Sequence, residues 1–285
     1  MSRNKERLGG VQQPDSNPPP QVMQGDTGGG FSFVVPTEFV ELPSQGKYYP
    51  PDHPLHNAES IEIRQMTAKE EDILTSRTLI RKGVALDRVV KNLIVDKRID
   101  SDGLLVGDRN AIIIATRVSG YGNDYTTKIS CPNCGANQEY SFDLNQSKIY
   151  DGQDLHKLDV KDNQNGTFTV KLPKTYVDVT FKLLTGRDEK SLLSGIESDR
   201  KQKIHERTVT RQLVNVIVAV NGDSSSQAIN YLIENIPSMD SRHLRLAYKL
   251  AAPNIDLTQH FECNECDHEQ DMEVPLTADF FWPDR

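Results

Sequence analysis

Long apolar runs are missing from this chain: none exceeds five residues, the longest being 111–115 and 216–220. Crossing a bilayer as a helix takes roughly 20 such residues, so no membrane-spanning segment is expected. No apolar stretch follows the N-terminus, so a signal peptide is not expected either, and the thiols should be reduced in a cytosolic setting. Positive charge is in deficit. With 33 Lys and Arg against 41 Asp and Glu, the net charge of −8 argues against general affinity for a phosphate backbone.

Catalytic signatures are absent too. There is no Walker A sequence and no G-x-S-x-G. His205-Glu206 begins like a zinc-protease helix, but Val209 stands where the second histidine belongs. Gly120-Tyr121-Gly122 begins like a dinucleotide loop, but Tyr125 stands at the third glycine position. Asp100-Ser101-Asp102-Gly103 has the look of a calcium loop, yet Arg98 and Arg109 fall at its first and twelfth positions, where carboxylates bind. A plain turn is expected there. The chain therefore offers no catalytic residues and no small-molecule substrate site.

Cysteine is scarce, but its placement is informative. The only four are Cys131, Cys134, Cys263 and Cys266, in two C-x-x-C knuckles, each flanked by strand-like sequence at 125–130 and 138–142, and at 256–261 and 270–274. Four thiolates in two such turns form a tetrahedral sulfur cage that suits Zn²⁺ and leaves no position open for substrate, so the site is expected to be structural. The knuckles are 128 residues apart (positions 135–262), far more than in an ordinary zinc ribbon, so one shared ion would tie the middle of the chain to its end. Redox pairs, two disulfides and unrelated cysteines are the competing readings. A redox pair belongs at a strand-to-helix junction, and disulfides need an oxidising compartment. One shared zinc is favoured. His260 and His268 flank the second knuckle as solvated or supporting residues. Glu262, Glu265, Asp267, Glu269, Asp271 and Glu273 surround it, a solvated acidic face that would repel phosphate.

With 36% hydrophobic and 26% charged residues the chain is of the soluble globular class. Residues 1–30, with four prolines and six glycines, are expected to be a disordered tail. Residues 31–54 carry Phe31, Phe33, Phe39, Tyr48 and Tyr49 among prolines dense enough to exclude helix and central strand, so an extended, ring-anchored run is expected. Ile61 and Ile63 alternate with Glu62 and Arg64 as in a half-buried strand. Thr67 and Glu70 have capping-box spacing for a helix reaching Lys82, with Gly83 as its stop. Leu86, Val89, Val90, Leu93 and Ile94 form the stripe of a second helix. Asp108 is placed to cap a third, which carries Ile112, Ile113 and Thr116 and ends at Ser119-Gly120.

Between the knuckles, Phe168, Val170 and Leu172, then Val177, Val179, Phe181 and Leu183, alternate as the arms of a hairpin. Thr185 and Asp188 open a helix towards Gly195, another is expected over 204–218, and two more over 227–236 and 240–251. Apart from the knuckles no internal repeat is seen. The aromatic end, Phe280, Phe281, Trp282 and Pro283, is expected to dock into the core.

Several strings, in order, resemble one phage family: FVELPSQGKYYP at 39–50, MTAKEEDILTS at 66–76, GDRN at 107–110, GYGNDY at 120–125, the two knuckles, VPLT at 274–277 and FFWP at 280–283. The chain is similar over these to the T-even-type myovirus baseplate hub subunit proteins. The resemblance implies a structural or assembly component of a contractile-tail baseplate, in the virion tail and, during assembly, the host cytoplasm. It implies action by binding other hub and tail proteins, with no catalytic residues to transfer.

The expected fold is α+β. A tail (1–30) precedes an extended segment and helical unit (31–124). A split zinc-ribbon-like module (125–143 with 254–285) is interrupted by a hairpin-and-helices insertion (144–253). A tail-assembly chaperone and a nucleic-acid-binding zinc ribbon are the alternative functions, the second disfavoured by the acidic knuckle.

Overall fold

Alternation at 60–64 produces the half-buried strand it implies: Ile61 and Ile63 are buried while Glu62 and Arg64 stay partly exposed. This strand, β2 (Ser60–Arg64), pairs antiparallel with β1 (Thr37–Glu41), where Val40 turns inward and Phe39 outward, 71% exposed. The computed structural model describes residues 34–81, 83–202, 204–205, 207–275 and 278–281. The expected tail, together with Phe31, Phe33, Trp282 and Pro283, lies outside the described residues.

Of the run 31–54 expected to be extended, Thr37–Glu41 is extended as β1, but the part from 42 onward is not, and with 55–58 it forms one coiled stretch. Residues 42–58 coil through successive turns, with Gln45 N bonded to Leu42 O at 2.9 Å, His53 N to Pro50 O at 2.9 Å and Ala58 N to Leu55 O at 3.1 Å. Proline density excludes regular structure but suits turns equally well, and Gln45, Gly46 and Asn57 supply the left-handed positions turns require. At Gly46 a Cβ would run into the Leu55 carbonyl, so glycine is needed for space as well as conformation.

Helix α1 (Ala68–Thr75) opens with the expected cap: the Thr67 amide and hydroxyl donate to the Glu70 carboxylate at 3.1 and 2.8 Å, and Arg64 closes on Glu70 at 2.7 Å. The single helix expected to reach Lys82 breaks at Ser76, whose backbone is extended (φ −68°, ψ 104°), and resumes as α2 (Arg77–Arg81). Lys82 lies outside the described residues, and Gly83 follows at φ +67°. In α3 (Ala85–Leu93) the buried stripe is Ala85, Val89, Val90 and Leu93, with Ile94 beyond it; Leu86 is 37% exposed and Ala85 takes its place.

Helix α4 (Val106–Tyr121) starts two residues before Asp108, with Leu105 at the cap, and runs past Ser119-Gly120 to stop at Gly122 (φ +82°). Asp108 is thus no cap. It is fully buried in the first turn, where its carboxylate accepts from the Ser44 amide (3.0 Å), the Ser44 hydroxyl (2.6 Å) and the Tyr49 hydroxyl (2.7 Å). The Tyr49 oxygen in turn accepts from the Leu105 amide at 3.0 Å. Burial pushes the Asp108 carboxyl above its ordinary value, and these hydrogen bonds oppose that shift. One buried side chain thereby pins the 42–58 turns to the start of α4.

The rest is small antiparallel sheets and helices, which makes the fold α+β. Strands β3 (Asp124–Ser130) and β4 (Asn137–Asp143) form the first knuckle, followed by β5 (Lys148–Tyr150). Next comes a four-stranded sheet in the order β6-β7-β8-β9, from Lys161–Asp162, Thr167–Lys171, Asp178–Lys182 and Ile217–Val220. The expected hairpin is its β7–β8 pair, with Phe168 opposite Phe181 and Val170 opposite Val179. Helix α5 (Gly186–Lys201), opened by Thr185 and Asp188, is longer than expected. Helix α6 (Thr208–Val216) stops before the expected 218, because the β-branched run 217–220 becomes β9 and pairs with β8.

Helices α7 (Ser226–Asn235) and α8 (Ser238–Ala251) follow, and Asp240 of α8 accepts from the Lys174 amide, the Thr175 amide and the Thr175 hydroxyl at 2.8 to 2.9 Å, holding the hairpin turn. Strand β10 (Asn254–Asp256) pairs with β5, and β11 (Thr258–Glu262) with β12 (Glu269–Glu273) form the second knuckle. At the end, Phe280 and Phe281 are docked as expected, Phe280 edge-on to Tyr125 at 5.1 Å.

Replacing Asp108 with Ala strands the Ser44 and Tyr49 donors inside the protein. The expected loss is about 3 kcal/mol by urea unfolding, against about 0.5 kcal/mol or less for Asp72→Ala on the exposed side of α1. Equal losses at the two positions would contradict the anchoring role of Asp108.

Candidate metal centre

Each knuckle is a hairpin whose turn carries its two cysteines. In the first, Ser130 faces Asn137, the Cys131 amide donates to Ala136 O at 2.8 Å, and the Gly135 amide donates to Cys131 O at 2.9 Å. In the second, Glu262 faces Glu269, the Cys263 amide donates to His268 O at 2.9 Å, and the Asp267 amide donates to Cys263 O at 3.0 Å. Gly135 and Asp267 occupy the same left-handed position, at φ +74° and +50°. The repeat extends beyond the cysteines, pairing Asp124 with Asp256, Thr126 with Thr258, Ile129 with Phe261 and Gln138 with Gln270 at a constant offset.

The fold brings all four expected cysteines together. Their sulfurs lie within 4.8 Å of one another, with Cys131 to Cys266 at 3.8 Å and Cys134 to Cys263 at 3.7 Å. A tetrahedral ion with metal–sulfur bonds of about 2.3 Å sets its sulfurs about 3.8 Å apart, so the cluster has the dimensions of a metal cage. All four cysteines are free thiols; a disulfide would need its sulfurs about 2 Å apart. The first cysteine of each knuckle, Cys131 and Cys263, is buried, while Cys134 is exposed and Cys266 half-buried.

The thiols cannot all ionise side by side. The Cys134 amide, helped by that of Asn133, pulls the Cys131 thiol down to about 6. At Cys134 the Ala136 amide favours the thiolate, but hydrogen bonds shared with Cys266, Cys131 and Cys263 hold the thiol up at about 12. A divalent cation would relieve this conflict by stabilising every thiolate at once. The histidines stay outside the sulfur cluster, as expected: His268 meets Gln270 at 3.3 Å, and His260 faces Glu269 and Asp271 at 4.0 and 3.8 Å.

Side chains that the sequence did not single out lock the knuckles together. Gln138 donates to Glu262 O at 2.9 Å and accepts from the Asn264 amide at 2.9 Å. Gln259 donates to Asp143 O at 2.8 Å and accepts from the Asp143 amide at 3.2 Å. Each amide side chain substitutes for a peptide group between β4 and β11, which share no ladder. Behind them Tyr140 packs against Phe142 and Phe261 at 5.0 and 5.2 Å, with its hydroxyl on His260 O at 3.1 Å.

Arg117, also missed, is fully buried and donates to Phe280 O, Gly122 O and Asp124 O at 2.6, 2.6 and 3.0 Å, fastening the chain end to the base of the first knuckle. The aromatic alternation of β4 was readable as a packing face. The glutamines were not, because in sequence they resemble any exposed strand residue.

The near-miss motifs are structural where they are described. Gly120 and Tyr121 end α4, and Gly122 is its cap. Asp100 to Gly103 is the expected turn, with the Gly103 amide on Asp100 O at 2.9 Å and the Asp102 amide on Asp100 Oδ1 at 3.1 Å. Glu206 lies outside the described residues. The six carboxylates around the second knuckle are all exposed. No helix among the described residues is long and apolar enough to cross a membrane.

A family model described as T4 bacteriophage base plate protein matches residues 35–282, most of the chain, so the chain belongs to that family. No curated protein and no solved structure matches it.

Gln259→Ala would leave the Asp143 amide and carbonyl without partners. Expected outcomes are a loss of about 1–3 kcal/mol in chemical unfolding and faster hydrogen exchange at the Asp143 amide, with exchange in β7 and β8 unchanged. Unaltered exchange at Asp143 would rule out this bridge.

Proposed function

We propose that this base plate family member is a structural or assembly component of a phage baseplate hub. In this reading it binds other hub and tail proteins, has no catalysis of its own, and holds one structural Zn²⁺ through Cys131, Cys134, Cys263 and Cys266. The observation that carries the reading is the family match spanning 35–282, which takes in both knuckles and everything between them. Its place would be the virion tail baseplate, and the host cytoplasm while the baseplate assembles.

The zinc assignment is supported by sulfur separations of 3.7 and 3.8 Å and by a donor set of four thiols. Four protein ligands fill a tetrahedral shell, so the ion would serve as a cross-link. Bound there, zinc would supply folding energy and no reaction step. The chain's own part is to present the sulfurs: Gly135 and Asp267 turn the knuckles, and the glutamine bridges fix their separation. The acidic surface of the second knuckle weighs against a nucleic-acid-reading ribbon.

Two measurements test the two halves of this reading. Metal analysis of the purified chain should find one zinc per molecule, and Cys131→Ser or Cys263→Ser should lower zinc content and melting temperature together. Retained zinc with unchanged melting would overturn the shared site. Quantitative mass spectrometry of phage particles and baseplate intermediates should find the chain at a fixed copy number. Presence in intermediates alone makes it an assembly factor; absence from both overturns the baseplate assignment.

A further inference from the structure

Helix α8 has two seams. The inner one, Asp240, Leu244, Ala247 and Ala251, is buried against the hairpin and core. The outer one runs Met239, Arg242, Leu246 and Lys249, at intervals of three, four and three residues, with Arg245 beside it. That spacing is the stripe a helix presents to a partner. Met239 and Leu246 are 57% and 45% exposed, and Arg242, Arg245 and Lys249 are exposed with no ion pair within 4.0 Å among the described residues, Lys249 being close enough to Asp256 to help the Thr258 hydrogen bonds hold that carboxyl below its ordinary value. A solvated helix face ordinarily mixes charges of both signs; this one alternates apolar and cationic side chains.

A complementary surface exists on the same chain. On the outer face of the second knuckle, Glu269, Asp271 and Glu273 of β12 point to solvent, and Glu262 stands directly opposite Glu269. Like charges directly opposite across a strand pair are destabilising, and within the paired residues 258–262 and 269–273 the one basic side chain is His260. The lengths agree as well. Glu269 to Glu273 covers about 13 Å of strand, and Arg242 to Lys249 about 10 Å of helix.

We propose that this chain associates head to tail with a second copy of itself, the outer seam of α8 in one copy lying on the acidic outer face of β11–β12 in the next. The contact joins two different surfaces, so it is heterologous and generates a ring or an open chain rather than a closed symmetric pair. Its attraction is electrostatic around the apolar contacts of Met239 and Leu246, and it weakens as salt rises. Both surfaces lie outside the sulfur cluster, and neither bound metal nor a place in a baseplate is required for them to meet.

The test is a charge swap on the full chain, read by sedimentation velocity over a concentration series. The unaltered protein should show a sedimentation coefficient that climbs with concentration at low salt and falls back at high salt. Arg242→Glu with Arg245→Glu, and separately Asp271→Lys with Glu273→Lys, should each weaken association about tenfold or more, while melting curves stay those of folded protein. Mixing the two variants should restore assembly, because each then meets a partner of opposite sign. A protein that is monomeric at every salt and concentration would overturn the proposal. So would variants that associate as before, or a mixture that stays monomeric while both variants are folded. Binding of a basic or acidic protein from elsewhere would not rescue it.

Discussion

Returning the chain to its own middle is the constraint on which the rest of the structure depends. Cys263 must come back within 3.7 Å of Cys134 after 128 intervening residues, positions 135–262. Closing a loop of that size costs about 5 kcal/mol in chain entropy. A zinc tetrathiolate of the kind proposed would contribute about 10–16 kcal/mol and so exceed that cost, but the protein does not rely on sulfur alone. Strand β5, just after the first knuckle, pairs with β10, just before the second. Gly107 of α4 lies so close to the Pro253 carbonyl that a Cβ would collide with it. The intervening segment therefore leaves and returns at one place, and the knuckles are aligned before any ion is considered.

Three buried charged side chains hold the remaining junctions, and each is hydrogen-bonded to backbone groups and hydroxyls, with no oppositely charged side chain among those bonds. Asp108 joins the 42–58 turns to α4, Arg117 joins α4 to the first knuckle and the chain end, and Asp240 joins α8 to the β7–β8 turn. A buried ion with no partner would be destabilising by several kcal/mol, so these positions tolerate little error in geometry. That intolerance is what makes them effective in fixing one arrangement of segments distant in sequence. Arg117 is the most demanding case, since three carbonyls at 2.6 to 3.0 Å must converge on one guanidinium with no carboxylate among them.

These anchors also mark where sequence reasoning succeeds and where it stops. Period-two and helical patterns identify β2, the β7–β8 hairpin, α3 and α8 because burial of one face is written into residue spacing. The four cysteines were legible because two short turns of the same kind imply one site. Asp108 was misread because a capping carboxylate and a buried one look the same next to a helical pattern; only the position of Ser44 and Tyr49 in space separates them. The strings at 39–50 and 107–110 that carried the family resemblance prove to be the two sides of that contact. At 217–220 the helical period and the β-branched composition conflict, and the open edge of β8 decides for strand. Glutamines 138 and 259 were invisible because their role depends on backbone brought from the far side of the chain.

The burial gradient across the sulfur cluster gives the module a direction. Cys131 and Cys263 are buried, Cys266 is half-buried and Cys134 is exposed, so the cluster opens towards solvent on the side of the second cysteines. Four thiolates around a divalent ion retain net negative charge, so a loaded site would add to the field of those carboxylates instead of offsetting it. Such a face repels phosphate and attracts cationic surfaces, which separates it physically from ribbons that read nucleic acid. Metal and carboxylates would then act in one sense: the ion would fix the hairpins rigidly enough to hold a dense negative surface in a defined shape. A flexible acidic loop could carry the same charge, but it would lose ordering entropy on every contact; a cross-linked hairpin has lost that entropy already in folding.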